Sequence, residues 1–231
     1  MDAHLKSQIE YYSARAAEYD EWFYRKGRYD QGEAENQQWA AEAEEFRQRL
    51  LAMGPVESAL ELAGGTGIWT AELSKIAHHL EVIDASAEML NINRAKLQNP
   101  QITYQQADLF TWEPQKQYDL VFFSFWLSHV PQAKLNPFLA QVAKALKPTG
   151  HVVMLDSRAS STSTAHNQST NTTQDQLQHR ILNNGQEYNI YKIYYEPEQL
   201  YEEFRRVGIH ANVFTTSKYF ICAVGQFDSR N

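Results

Sequence analysis

Between residues 55 and 156 strand-like and helix-like runs alternate, which predicts an α/β fold on a doubly wound, mostly parallel sheet. Two further observations agree with this. Three glycines, Gly64, Gly65 and Gly67, crowd the junction between the first strand and the helix after it. Acidic residues end three successive strands, as Glu61, Asp84 and Asp108, and so gather at one edge of the sheet.

The elements follow in order. Leu5, Ile9, Tyr12, Ala16, Tyr19 and Phe23 recur at alternating spacings of four and three, one stripe of a first helix. Trp39, Ala43, Phe46, Leu50 and Met53 form a second stripe, stopped by Gly54-Pro55. Residues 58–62 then read as a strand and 67–78 as a helix carrying Trp69, Leu73 and Ile76. Residues 80–84 are the second strand, and Ser86 is placed to cap a helix through Leu97. Strands over 102–106 and 120–124, an amphipathic helix over 131–146 and a fifth strand over 151–155 complete the alternation.

Residues 157–178 are almost free of apolar side chains and read as a surface loop that cannot form a buried element. A further strand over 188–195, a helix started by Pro197, and two strands near 211–216 and 219–226 close the chain. The short link Ser217-Lys218 makes those last two an antiparallel hairpin.

Composition narrows the function. The chain has 231 residues, a net charge of −7, 43% hydrophobic and 13% aromatic residues, which suits one globular domain. Its acidic surface disfavours nucleic acid as a partner. The single cysteine, Cys222, excludes an internal disulfide and a cysteine-rich zinc site, and no histidine spacing suggests a metal. No basic head with an apolar stretch opens the sequence, and no apolar run approaches the ~20 residues of a membrane helix. The expectation is a soluble, cytoplasmic protein without a metal site.

A glycine-rich turn between strand and helix lets a polar ligand approach the backbone and meet the helix N-terminus. The dinucleotide pattern G-x-G-x-x-G fails, because Gly65 and Gly67 are followed by Thr70 where the third glycine belongs. The phosphate-binding pattern G-x-x-x-x-G-K-[ST] is absent. Three carboxylates beside such a turn suit a ligand with an amine, a diol and an adenine, and no phosphate.

ELAGGTG, then VIDASAEML, QADLF, YDLVFFSFWLSHVP and LKPTGHVVMLD, together resemble the class I (Rossmann-like) S-adenosylmethionine-dependent methyltransferases. The likeness is strong over residues 56–156, and YYSARAAEYDEW resembles the family's lid helices. It implies a seven-stranded sheet with the last strand antiparallel, N-terminal lid helices and a late insertion over the ligand edge. The implied organisation is a single domain: lid helices over 1–54, a cofactor-binding core over 55–156, a substrate-side segment over 157–195 and a closing helix and hairpin over 196–231.

The same resemblance implies the cofactor, S-adenosylmethionine, with S-adenosylhomocysteine as product. Glu61 and the backbone of Ala63, Gly64, Gly65 and Gly67 would hold its methionine part, and Ser124 would offer a carbonyl to the ammonium. Asp84 would accept the ribose hydroxyls, Ala85 and Met89 would flank the adenine, and Asp108 and Leu109 would bond it. Tyr12 and Tyr19 would close over the cofactor. Ala63 stands where the family carries its first glycine, so an extended backbone is expected there.

The expected reaction is methyl transfer to oxygen or nitrogen of a small-molecule acceptor, with methylation of tRNA or protein, or cofactor binding without transfer, as alternatives. His129 is the candidate base, since histidine titrates near neutrality, although a loop-ordering role fits the same position. Tyr11, Trp22, Phe125, Trp126, Arg158 and Tyr194 are the candidate acceptor contacts, and Arg15 reads as a solvated side chain. The residues after the fourth strand, Ser124-Phe125-Trp126-Leu127, lack the [DN]-P-P-[YFW] pattern carried by many enzymes that methylate nucleobase amines or glutamine amides.

Overall fold

The computed structural model describes residues 3–168 and 176–227. Seven strands form one sheet: β1 (Val56–Leu62), β2 (Ala77–Asp84), β3 (Ile102–Gln106), β4 (Tyr118–Ser124), β5 (Leu146–Ser157), β8 (Ile209–Thr215) and β9 (Phe220–Phe227). Their order across the sheet is β3-β2-β1-β4-β5-β9-β8. The first five are parallel, and β9 runs antiparallel to both β5 and β8. The strands after β1 build outward to one side, then β4 returns to its other side. That reversal opens a crevice at the carboxyl ends of β1 and β4, where ligands bind in open α/β sheets.

Both faces of the central strands are covered. Leu60, Leu62, Val121 and Phe123 face a layer made by α6 (Gln132–Ala145) and α7 (Pro197–Arg206). Ala59, Leu120 and Phe122 face the opposite layer, which holds Trp39, Phe46 and Leu50 of α3 (Glu33–Leu51). Burial alternating with period two on each strand explains why the runs are apolar throughout. Cys222 of β9 is fully buried and free, as a small apolar side chain would be.

Local signals set several boundaries. Ser86 caps α5 (Ala87–Leu97), its hydroxyl accepting from the Met89 amide at 3.2 Å. Glu196 and Gln199 form a reciprocal capping box ahead of α7, with Pro197 in the first turn. The run over 67–78 does not form the expected helix. Only Thr70–Leu73 is α-helical (α4), and Ala77 already pairs with Val56 to start β2.

The N-terminal stripe also divides, into α1 (Ala3–Arg15) and α2 (Tyr19–Phe23). Its buried face is Leu5, Gln8, Tyr11 and Arg15, not the Ile9–Tyr12 line that apolarity selects. Arg15 is therefore buried, contrary to expectation. α1 packs on a separate antiparallel pair, β6 (Leu177–Ile181) and β7 (Glu187–Tyr191).

β6 was not expected and begins at Leu177, within the last two residues of the expected polar loop, and Ser163, Thr164 and Ala165 of that loop are buried. Their backbone is held by side chains, since Trp22 Nε1 donates to the Ser163 carbonyl at 2.9 Å and Gln31 Nε2 to Thr164 at 2.9 Å. Residues 169–175 of the expected loop lie outside the described residues. β7 ends at Tyr191, so the strand alternation expected through Tyr194 and Tyr195 does not apply.

Trp39 joins the lid to the sheet. Its ring meets those of Trp22, Tyr219 and Phe220 at centroid distances of 5.4, 5.1 and 4.7 Å. Its Nε1 donates to the Phe23 carbonyl at 3.0 Å. Trp39→Ala should destabilise the protein by about 3–5 kcal/mol, read as a lower urea midpoint with little change in slope, and Trp39→Phe by much less.

Candidate active site

The chain leaves β1 through Ala63, whose φ of 56° lies in the left-handed region. This corrects the extended backbone expected there. A non-glycine residue in that region costs about 1–2 kcal/mol, and Phe125, at the end of β4, has the same strain with φ of 50°. Both stand at the crevice mouth, where such strain tends to be stored.

The glycines serve different needs. A Cβ on Gly64 would meet Val82 Cγ1 at 2.3 Å, and one on Gly67 would meet Asn93 Oδ1 at 2.7 Å, so both are required by packing. Gly65, with φ of 53°, has nothing within 4 Å of that position and faces open space. Its amide donates to Asp84 Oδ2 at 2.9 Å, while the Ser86 amide donates to Oδ1 at 2.9 Å. Burial raises the Asp84 carboxyl above its ordinary range, against bonds from the Ser86, Gly65 and Ala85 amides. Asp108 is fixed likewise, accepting from the Phe110 amide at 2.9 Å.

A cavity of about 690 Å³ opens over these residues. Asp84, Ala85 and Met89 line one side, and Asp108 and Leu109 the next. Ala63, Gly65 and Ser124 form the floor, with Tyr12 and Tyr19 on the lid side and Phe125 and Trp126 beyond. Gly64 lines a smaller adjoining cavity that shares Tyr19, Ala63, Gly65, Ser124 and Phe125. Leu5, Gln8 and Ile9 of α1 also line the main cavity, and apolar spacing alone gave no reason to single them out.

Glu61 lies beneath this cavity rather than on its wall. It is 1% exposed, and Thr70 Oγ1 donates to its Oε2 at 2.5 Å. Burial pushes its carboxyl up to about 8, with the Asp84 charge adding to the rise.

A second cavity of about 500 Å³ shares Tyr12, Tyr19 and Phe125 with the first. Trp22 and Tyr194, expected at the acceptor, line it, as does His129. Arg15, Arg180 and Lys192 line it too; Arg15 had been weighed as a partner for a carboxylate but read as solvated, and the other two had not been singled out. Tyr11 and Arg158 are on neither wall. Tyr11 is buried with Leu182 and Ile190, and Arg158 Nη1 donates to the carbonyls of Thr216 and Ser217, tying down the β8–β9 link.

His129 closes the 3₁₀ turn Leu127–His129 and is 5% exposed. Its Nδ1 lies 2.6 Å from the Tyr191 carbonyl, which can only accept, so Nδ1 carries the proton. Nε2 then accepts from the Tyr12 hydroxyl at 2.7 Å. Burial, with Lys192 and both arginines nearby, holds this imidazole well below its ordinary value and therefore neutral.

A family model described as a methyltransferase domain matches residues 59–150. The solved DhpI–SAM–HEP complex is 30% identical to the chain, covers 98% of it and 99% of its own length, and superposes with a TM-score of 0.77. The chain belongs to the class I S-adenosylmethionine-dependent methyltransferase family. The solved DhpI–SAH complex is 29% identical, with a TM-score of 0.78 over 100% of both chains. The ubiquinone/menaquinone biosynthesis C-methyltransferase UbiE of Pectobacterium carotovorum subsp. carotovorum (strain PC1) is 35% identical over 108 residues. That match covers 43% of this chain and 42% of UbiE, so the chain spans less than half of that relative.

The cavity fits the family's cofactor on its own geometry. Asp84 keeps acceptor capacity beyond its backbone bonds, Gly65 leaves open space beside it, and the buried Trp126 Nε1 has no partner among the described residues. No helix is long and apolar enough to cross a membrane among the described residues.

Glu61 gives a pH test. Its folded value near 8 exceeds the ordinary 4.5, so its stabilising effect is full below about pH 4.5 and is lost as pH rises through about 8. Glu61→Gln stays neutral throughout. The variant should match the parent near pH 5 and melt above it near pH 8.5, in paired thermal scans.

Proposed function

We propose that the protein transfers a methyl group from S-adenosylmethionine to oxygen or nitrogen of a small-molecule acceptor. The observation carrying this reading is the pair of cavities that meet at Tyr12, Tyr19 and Phe125. One has the carboxylates and open glycine suited to the cofactor. The other is walled by side chains of the lid and of the late segment, which suits a small ligand rather than a polymer. Its lid residues and late segment mostly lie outside the part of the chain that the family model matches.

Asp84 would hold the ribose hydroxyls, Asp108 and the Leu109 amide the adenine, and the loop from Ala63 to Gly65 the methionine end. The bound cofactor supplies an electrophilic methyl group for one in-line displacement. The chain's part is alignment and exclusion of water, with Tyr19 and Phe125 closing the boundary between the cavities. His129 would act through Tyr12. An acceptor proton passes to the Tyr12 oxygen while the Tyr12 proton moves to Nε2 of His129. The 2.7 Å bond and the neutral imidazole support that route.

Incubation with methyl-labelled S-adenosylmethionine and a fractionated cell extract should put label in the small-molecule fraction, and label in RNA or protein would replace this reading. Asp84→Ala should weaken S-adenosylhomocysteine binding by about 2–4 kcal/mol in calorimetry. An unchanged dissociation constant would remove Asp84 from the site. Tyr12→Phe should lower kcat about 100-fold with KM for the cofactor within a few-fold, whereas an unaltered kcat dismisses the proton route.

A further inference from the structure

We infer that the second cavity holds the head group of the methyl acceptor, a dianionic tetrahedral oxyanion of the phosphoryl type, between Arg15, Arg180 and Lys192. The cavity's role rests on the methyl-transfer reading above, while the chemistry of the ligand rests on the cations.

The chain carries a net charge of −7, yet it buries three cations around one space. Arg15 is 8% exposed, Arg180 7%, and the Lys192 side chain 9%. They come from α1, from β6 and from the segment after β7, so no single helix or strand imposes their meeting. Among the described residues no Asp or Glu lines the cavity. Asp156, 3.6 Å from Lys192, supplies one negative charge and already accepts from the amides of Ser128 and Ser157. Three positive charges against one leave an excess of two. A carboxylate ligand would answer half of it, and a dianion all of it.

No further ion pair among the described residues neutralises the excess. Arg28, close by, shows what neutralisation looks like, with Glu18 at 3.0 Å. Arg15 instead lies among the rings of Tyr11, Tyr19, Trp22 and Tyr29, at 5.0–5.8 Å from their centroids. Its Nη2 reaches the Tyr29 hydroxyl at 3.4 Å, and its Nε has no partner among the described residues. Arg180 donates to the His179 carbonyl and to Gln178, both neutral. Lys192 donates to Ser128 Oγ at 2.8 Å, again neutral. Leaving buried charge uncompensated costs several kcal/mol, and the aromatic contacts return only part of that. Arginine forks match the oxygens of a tetrahedral anion.

Lys192 adds a second signature. Burial pulls its ammonium down to about 8, with Asp156 opposing and Arg180 and Arg15 assisting. Ser128, Tyr194 and the neutral His129 complete its surroundings. A non-titrating dianion should therefore bind less tightly as pH rises above about 8.

The test uses the full chain, inorganic phosphate, sulfate and acetate as probes, and S-adenosylhomocysteine as a separate ligand. Binding is read by tryptophan fluorescence, since Trp22 lines the cavity, and by calorimetry. Phosphate and sulfate should bind at least about tenfold more tightly than acetate, and sulfate should weaken from pH 7 to 9. Arg180→Gln and Lys192→Gln should each cost about tenfold in sulfate affinity while S-adenosylhomocysteine affinity stays within about twofold. Arg180→Lys should restore part of the loss and serves if the glutamine variant does not fold.

Sulfate and phosphate binding no tighter than acetate, or equally tight in both glutamine variants, would overturn the proposal. If S-adenosylhomocysteine fails to bind while the anions behave as expected, the methyl-transfer reading falls and the anion site stands.

Discussion

The reversal of strand order between β1 and β4 is the constraint on which the rest depends. A parallel sheet that winds one way from β1 and then resumes on its other side must leave two adjacent strand ends uncovered by their own crossovers. Ala63 and Phe125 leave those two ends, and both adopt left-handed backbone conformations to turn the chain away from the crevice. Asp84 and Asp108 follow the next strands along the same edge. The carboxylates are therefore gathered by topology, and only their fine placement is left to the bonds from Gly65, Ser86 and Phe110.

A crevice formed this way is open on one side, and the N-terminal helices close it. They do so through aromatic packing rather than through a continuous helix. Trp22 and Trp39 bind the lid to Phe125 and Phe220, and Gln8 bridges α1 to the His129 carbonyl and the Tyr191 amide. Closure thus joins three remote stretches of chain, and a second cavity arises between them as a consequence.

The sequence made the central fold legible because its strands are buried on both faces and bounded by glycine, proline or capping residues. β3 was read over its full length, and the other six strands of the main sheet within a few residues of their ends except where β2 and β5 begin, whereas β6 was not read and β7 was read too long. The errors have a common cause. Periodicity counts apolar side chains, so it chose Ile9 and Tyr12 over Gln8 and Arg15 for the buried face of α1. It also assigned residues 161–165 to the surface, although hydrogen bonds from Trp22 and Gln31 bury that polar backbone. Gly64 and Gly67 were read as making room for a ligand, whereas Val82 and Asn93 occupy the space beside them. Buried polar groups held by distant partners leave no local signal. Arg15, Arg180 and Lys192 leave none either, because their meeting depends on a topology that spacing does not encode.

Those cations also act on His129, which lines the same cavity. His129 is depressed by burial first, then by Lys192, with Arg180 and Arg15 acting in the same direction. It is a weak base, since any proton it took would be buried and face three positive charges. A dianion seated among them would cancel that field at close range, where screening by solvent is least. The imidazole would then regain the part of its basicity that the cations remove, while burial still holds it down, through a neutralisation that needs no movement of the chain. The head group would therefore align the acceptor and also prepare the Tyr12–His129 pair to receive its proton, so that recognition and proton transfer become one electrostatic event.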